Sequence, residues 1–255
     1  HARPATRLIR WPRFMEVSAI VAVNLILGIA SLVTSVTGFG YGLVAAPFII
    51  LILPPSMAVP VVLMSWLPLA LLLVVDCFRE INLPRIGQLY ICAMVGVPAG
   101  TYVLAYADDD TMRIVISAIT LLAAVSMLRR PGRPLRRESF FLCAAGLLSG
   151  LVGGGSGITG PPVVLLGLKQ QWEQRAFRAD LIGYFFILHA SILTLYHNFG
   201  LLEQGTLTLS LWSLPGVLMG YFAGMRLKNL VSQSLFRYLA IGIVGLGSIL
   251  ALLFR

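Results

Sequence analysis

Charge is the scarcest commodity in this chain of 255 residues: only 11% are Asp, Glu, Lys or Arg, against about 25% in an ordinary soluble domain. So few charges cannot clothe a water-facing surface, and with 58% hydrophobic residues the composition is that of a polytopic membrane protein. Cysteine is nearly absent too. Cys77, Cys92 and Cys143 are odd in number, lie in or beside apolar runs and form no C-x-x-C pair, so they read as packing residues and exclude neither redox compartment. Acidic residues number 10 against 19 basic ones, a net charge of +9. That excess does not indicate nucleic-acid binding, because the arginines sit in short clusters between apolar runs, as cytoplasmic loops of membrane proteins do. No cleavable signal is evident: the apolar run from Val17 to Val36 leads into glycines rather than a cleavage site. No cofactor and no bound metal are expected.

Glycine, by contrast, is abundant, and it is concentrated where a helix is hardest to continue. Residues Gly153-Gly154-Gly155-Ser156-Gly157-Ile158-Thr159-Gly160-Pro161-Pro162 form a stretch that reads as a break between two apolar runs. It has a twin: Gly38, Gly40, Gly42 and Pro47 fall on Gly153, Gly155, Gly157 and Pro162 when 115 is added to each number. Unwound backbone in lipid is tolerated only where protein or a watery cavity surrounds it, since each unpaired peptide group in hydrocarbon costs several kcal/mol. Two breaks in corresponding places predict a transport site between two halves.

Ten apolar segments follow from the pattern. The first half holds Val17 to Val36, Leu43 to Leu53, Met57 to Val75, Gly87 to Tyr106 and Ile114 to Leu128; the second holds Phe140 to Val152, Ile158 to Leu168, Ala179 to Tyr196, Leu207 to Met225 and Leu235 to Phe254. A spanning helix needs about 20 residues, so Leu43 to Leu53 and Ile158 to Leu168 are predicted half-helices. The offset between the halves then grows: 118 pairs Ala58 with Ala176, Ser65 with Gly183 and Trp66 with Tyr184, 120 pairs Gly96 with Gly216, and 124 pairs Arg113 with Arg237. Small loop insertions in a duplicated unit produce such a drift. The expected organisation is a basic tail at 1–13, a first membrane repeat at 14–128, a basic cytoplasmic linker at 129–138 and a second repeat at 139–255.

Loop charges predict that the repeat is inverted. Arg79 and Arg85 follow the third segment of the first half, where the second half has only His197; Asp108, Asp109 and Asp110 follow the fourth, where the second half has Arg226 and Lys228. Arg3, Arg7, Arg10 and Arg13 argue for an inside N-terminus while the internal loops place it outside, and the internal loops agree among themselves.

The first N-H groups of a half-helix lack intrahelical partners and carry about half an elementary charge. Two such tips converging would bind a small anion, with Ser35, Thr37, Ser156 and Thr159 as hydroxyl donors and Trp66 and Tyr184, each following Ser65 or Gly183, as cavity walls. The alternative for the glycines is tight helix crossing. Among ionisable groups at membrane depth, Arg178 and Asp180 form a gating pair or simply reach the headgroups, and His189 couples protons or packs as a neutral core histidine. His197 reads as interfacial. Two rivals remain: an anion channel on the same scaffold, and a serine hydrolase in which Ser156 and His189 resemble the dyad of rhomboid-type intramembrane proteases.

The paired glycine breaks, the Pro-x-x-Ala entry from Pro55 to Ala58 and the run Arg175-Ala176-Phe177-Arg178-Ala179-Asp180 resemble the TauE/SafE group of sulfite and organosulfur-anion exporters over Val17 to Phe254. Phe39 and Tyr41 depart from the glycine run usual in that family's first half. The resemblance implies export of a small sulfur-containing anion, sulfite, sulfoacetate or a related sulfonate, across the bacterial inner membrane and driven by protons. The expected fold is all-α, with two inverted repeats, each a glycine-broken hairpin plus three further spans. Oligomeric state is left open.

Overall fold

Proline and glycine set the helix boundaries, and apolar residues fill everything between them. The computed structural model describes residues 17–128, 134–227, 242, 244–247, 249, 250 and 253. All the secondary structure among them is helical. The first half comprises α1 (Val17–Thr37), α2 (Tyr41–Ile52), α3 (Pro55–Cys77), α4 (Leu83–Tyr106) and α5 (Asp109–Leu128), with a single 3-10 turn at Phe78–Glu80 between α3 and α4. The second comprises α6 (Glu138–Ser156), α7 (Gly160–Lys169), α8 (Gln174–Asn198), α9 (Gln204–Trp212) and α10 (Leu214–Leu227), with helical residues again at 242–253 where described. Seven helical stretches among the described residues are long and apolar enough to cross a membrane, with α9 and α10 counted together. The chain is a multi-pass membrane protein. The basic tail, Lys228, Arg237, most of the central linker's arginines and much of the last apolar segment lie outside the described residues.

Both half-helices form, slightly displaced from their predicted starts. At 12 and 10 residues they rise about 18 and 15 Å, half of the ~30 Å hydrocarbon layer. The predicted single segment Leu207 to Met225 is bent instead. Pro215 has no N-H to offer Leu211, and a turn at Ser213 separates α9 from α10. The side chain of Asn24 in α1 fills the next rung, opened by the bend: its Nδ2 donates to Trp212 O at 3.0 Å and its Oδ1 accepts from Gly216 N at 2.9 Å. One amide thus satisfies both backbone groups of that rung.

The halves interlock through small residues. α1 runs along α10 and α4 along α6, with glycines bringing backbone against backbone. A Cβ at Gly154 would meet Val97 O at 2.5 Å and one at Gly224 would meet Leu32 O at 2.9 Å. These contacts recur at a regular spacing. Gly96 lies over Leu147 as Gly220 lies over Gly28, and Gly100 lies over Leu151 as Gly224 lies over Leu32. In this pairing the contacting residues are 119 apart in α1 and α6 and 124 apart in α4 and α10. The left-handed caps Gly38 and Gly157 obey the same 119 spacing. So do their neighbours, Arg178 behind Gly38 and Val59 behind Gly157. The predicted offsets of 115 and 120 differ from these spacings by four residues, about one helical turn, which leaves small residues on the same helix face.

Candidate functional site

The glycine run of the second half is not the break it was predicted to be. Gly153, Gly154 and Gly155 are helical, inside α6. Gly154 and Gly155 pack on α4, while Gly153 faces the Thr159 side chain. Close helix crossing, the alternative weighed for these glycines, accounts for Gly154 and Gly155. The break itself is short: α6 ends at Gly157, with φ of 71°, and α7 begins at Gly160. In the first half Gly38 and Gly40, with φ of 84° and 99°, turn the chain from α1 into α2. Only glycine reaches those angles without strain.

The two breaks meet. A Cβ on Gly42, in the first turn of α2, would lie 2.6 Å from the carbonyl oxygen of Gly157. Phe39, Gly40, Tyr41, Gly42 and Leu43 from the first half and Gly157, Ile158, Thr159 and Gly160 from the second line one cleft, closed by Trp66, Phe185 and His189. At the α2 tip the N-H groups of Tyr41, Gly42 and Leu43 precede the first helical bond, Val44 N to Gly40 O at 2.9 Å. The α7 tip is poorer. Pro161 and Pro162 carry no N-H, which leaves Gly160 as its first-turn donor.

His189 is the one titratable imidazole in the cleft lining. Its Nε2 lies 2.9 Å from Thr159 Oγ1, and its buried Nδ1 has no hydrogen-bond partner. Trp66 meets the ring edge-on with centroids 4.7 Å apart, and Phe185 stacks on it at 5.9 Å. An unmatched polar atom in a buried aromatic box costs roughly 1–3 kcal/mol unless something binds there.

Of the sequence-predicted residues, Gly40, Gly42, Trp66, Gly157, Thr159 and His189 line the cleft. The others do not. Ser35 donates to Ser31 O at 2.8 Å and Ser156 to Val152 O at 2.7 Å, so both hydroxyl hydrogens stay within their own helices. Thr37 stitches the first turn, with Oγ1 2.8 Å from Val33 O and 2.7 Å from Phe39 O. Gly38 packs against the Arg178 side chain and Gly153 against Thr159. Ser65 stands one layer back, hydrogen-bonded to Tyr41 at 2.9 Å, and Tyr184 donates to Ser149 at 2.9 Å. The wall opposite Trp66 is Phe185, not Tyr184: their rings meet edge-on at 6.4 Å. Trp66 and Phe185 are 119 apart, the same spacing as the left-handed caps Gly38 and Gly157. Nor does Ser156 reach His189. Its Oγ also accepts from Ile158 N, while the histidine turns to Thr159, so the described hydrogen bonds contain no Ser-His dyad.

Arg178 and Asp180 are not each other's partners. Asp180, with a side chain only 1% exposed, receives Arg85 at 2.6 Å and Asn82 N at 2.7 Å. Arg178 pairs with Asp76 at 3.5 Å and donates to Ser35 O at 3.0 Å, at the carbonyl end of α1. Both ion pairs tie α8 of the second half to the α3–α4 region of the first. Arg85 also lies over Trp172, 4.1 Å from its centroid, and Trp172 Nε1 donates to Glu138 at 2.9 Å. Asp76 and Arg85 were invisible as partners because nothing in their spacing to α8 marks a contact across so much chain.

A family model described as sulfite exporter TauE/SafE matches residues 23–251. Among curated proteins, a probable sulfite/organosulfonate exporter TauE from Cupriavidus necator is similar to this chain. It is 23% identical over 244 residues, which cover 91% of this chain and 94% of that relative. No solved structure matches.

Proposed function

The chain belongs to the sulfite exporter TauE/SafE family, and from that premise we propose that it carries a small sulfur-containing anion, sulfite or an organosulfonate, outward across the bacterial inner membrane. The observation that carries this reading is the meeting of the α2 and α7 tips at one cleft holding an unpartnered His189 nitrogen. Helix N-termini favour negative charge, and a buried donor on the same wall gives the anion a side-chain contact. The contact pairs in the fold support a duplicated architecture, and the loop charges support its inversion, with the Arg79 to Arg85 side and the central linker cytoplasmic.

Transport then follows by alternating access. The Arg85–Asp180 and Arg178–Asp76 pairs hold the two halves together at the cytoplasmic side and break when that side opens. Coupling to protons runs through His189: while Nε2–H donates to the Thr159 hydroxyl oxygen, the free Nδ1 takes up one proton to give the imidazolium and releases it to restore the neutral ring. The test is efflux of radiolabelled sulfite from proteoliposomes with and without an inward proton gradient. Gradient-stimulated efflux that becomes gradient-independent in His189→Ala is the expected result. Efflux no faster than from empty liposomes would remove the carrier assignment, and a surviving gradient dependence in the variant would remove His189 from the coupling step. A channel on the same scaffold would instead give efflux unresponsive to trans anion.

A further inference from the structure

We propose that the cleft selects by charge number: it holds an oxyanion head bearing one negative charge and rejects a head of the same shape bearing two. The proposal rests on the anion-carrier reading and sharpens it to a class of substrate. None of the cleft-lining residues is Lys, Arg, Asp or Glu. Arg178 comes close to the first break, against Gly38, but its guanidinium is turned to Ser35 O and Asp76 and does not line the cleft. What the cleft does offer is neutral donors: the three leading N-H groups of α2, the Gly160 N-H and Nδ1 of His189.

The imidazole geometry fits this role. When the Thr159 hydroxyl donates to Nε2, the neutral ring carries its hydrogen on Nδ1, the buried atom left without a partner. Each helix tip contributes about half an elementary charge, so two tips together balance about one negative charge. The prolines at the α7 tip hold its share of direct hydrogen bonds down. While His189 is neutral, a second negative charge would enter an aromatic box of Phe39, Tyr41, Trp66 and Phe185 with no cation among the lining residues to meet it, and an uncompensated charge in such surroundings is strongly disfavoured. The same rings suit an apolar substituent on the head. The favoured ligand is therefore a sulfonate with a small carbon tail, or the singly protonated form of an inorganic sulfur oxyanion.

Methanesulfonate and sulfate share a tetrahedral head and differ by one charge, so they isolate the variable. Isothermal titration and thermal shift on the full-length protein in detergent should give methanesulfonate an affinity at least about 100-fold above that of sulfate, the scale on which an uncompensated charge is penalised. Phe39→Lys, which adds a cation at the half-exposed edge of the cleft, should narrow that ratio to about tenfold or less by strengthening sulfate. If this variant does not fold, the wild-type ratio decides alone. Sulfate binding as tightly as methanesulfonate would overturn the charge selection while leaving the carrier reading in place. Binding of neither, nor of sulfite, would instead remove the anion site itself and this inference with it.

Discussion

The two breaks share one backbone plan and almost no chemistry. Both end a spanning helix in a left-handed glycine and restart as a half-helix, with Gly38 and Gly157 as equivalent caps. Yet Phe39, Gly40 and Gly42 are half-exposed, whereas Gly157 through Gly160 are buried. The first break supplies backbone donors and has an arginine behind it; the second has Val59 in the arginine's place and prolines where N-H groups would be. In exchange the second break carries the Thr159–His189 pair. The two sides of the cleft therefore offer different groups: peptide N-H groups on one, a hydroxyl and an imidazole on the other.

The sharpest way to break this comparison is to fill the contact between the breaks. Gly157→Leu forces a side chain into a left-handed position 3.2 Å from Val59, and Gly42→Leu drives one into Gly157 O. Each should reduce sulfite efflux by about 100-fold or more while the protein still inserts. Gly87→Leu is the control, because a Cβ there meets nothing, and its efflux should stay near wild type in the same proteoliposomes.

A second contrast separates the two ion pairs on α8. Asp180→Ala strands Arg85 beside a buried site and should cost about 3 kcal/mol in unfolding of the detergent-solubilised protein. Arg178→Met removes a more exposed pair and one bond to the end of α1, so it should cost only about 1 kcal/mol. Equal losses would mean that burial is not what distinguishes these pairs.

The smallest effect is expected from making the tips alike. Pro161→Ala restores an N-H to the first turn of α7, one added donor worth about 1 kcal/mol, and should tighten methanesulfonate binding roughly threefold to tenfold by titration. No change would show that the α7 tip does not face the ligand.

Much of this was legible in the sequence, because membrane helices announce themselves by length and half-helices by falling short. Asn24 shows the limit. A lone amide in an apolar run carries no signal until the bend at Pro215, far along the chain, opens the neighbouring rung that it fills. The glycine run misled for a related reason: Gly153 to Gly155 permit unwinding and close packing equally, and only α4 lying against them decides for packing. The same ambiguity shifted the glycine match by one turn, while a slip of a single residue, 118 for 119, named Tyr184 instead of Phe185 as the wall. Ser35, Thr37 and Ser156 were correctly placed near the breaks, but a hydroxyl on a helix bonds readily to its own preceding turn.

The most direct test uses a variant with Cys77, Cys92 and Cys143 replaced by alanine, carrying either Phe39→Cys from the first break or Thr159→Cys from the second. The rate of labelling by a water-soluble methanethiosulfonate reagent is measured in membranes with and without saturating methanesulfonate. A shared anion pocket requires that the ligand slow both reactions by at least about tenfold, since occupancy leaves little free site. Protection at one cysteine but not the other would contradict the claim that both half-helix tips hold the same anion.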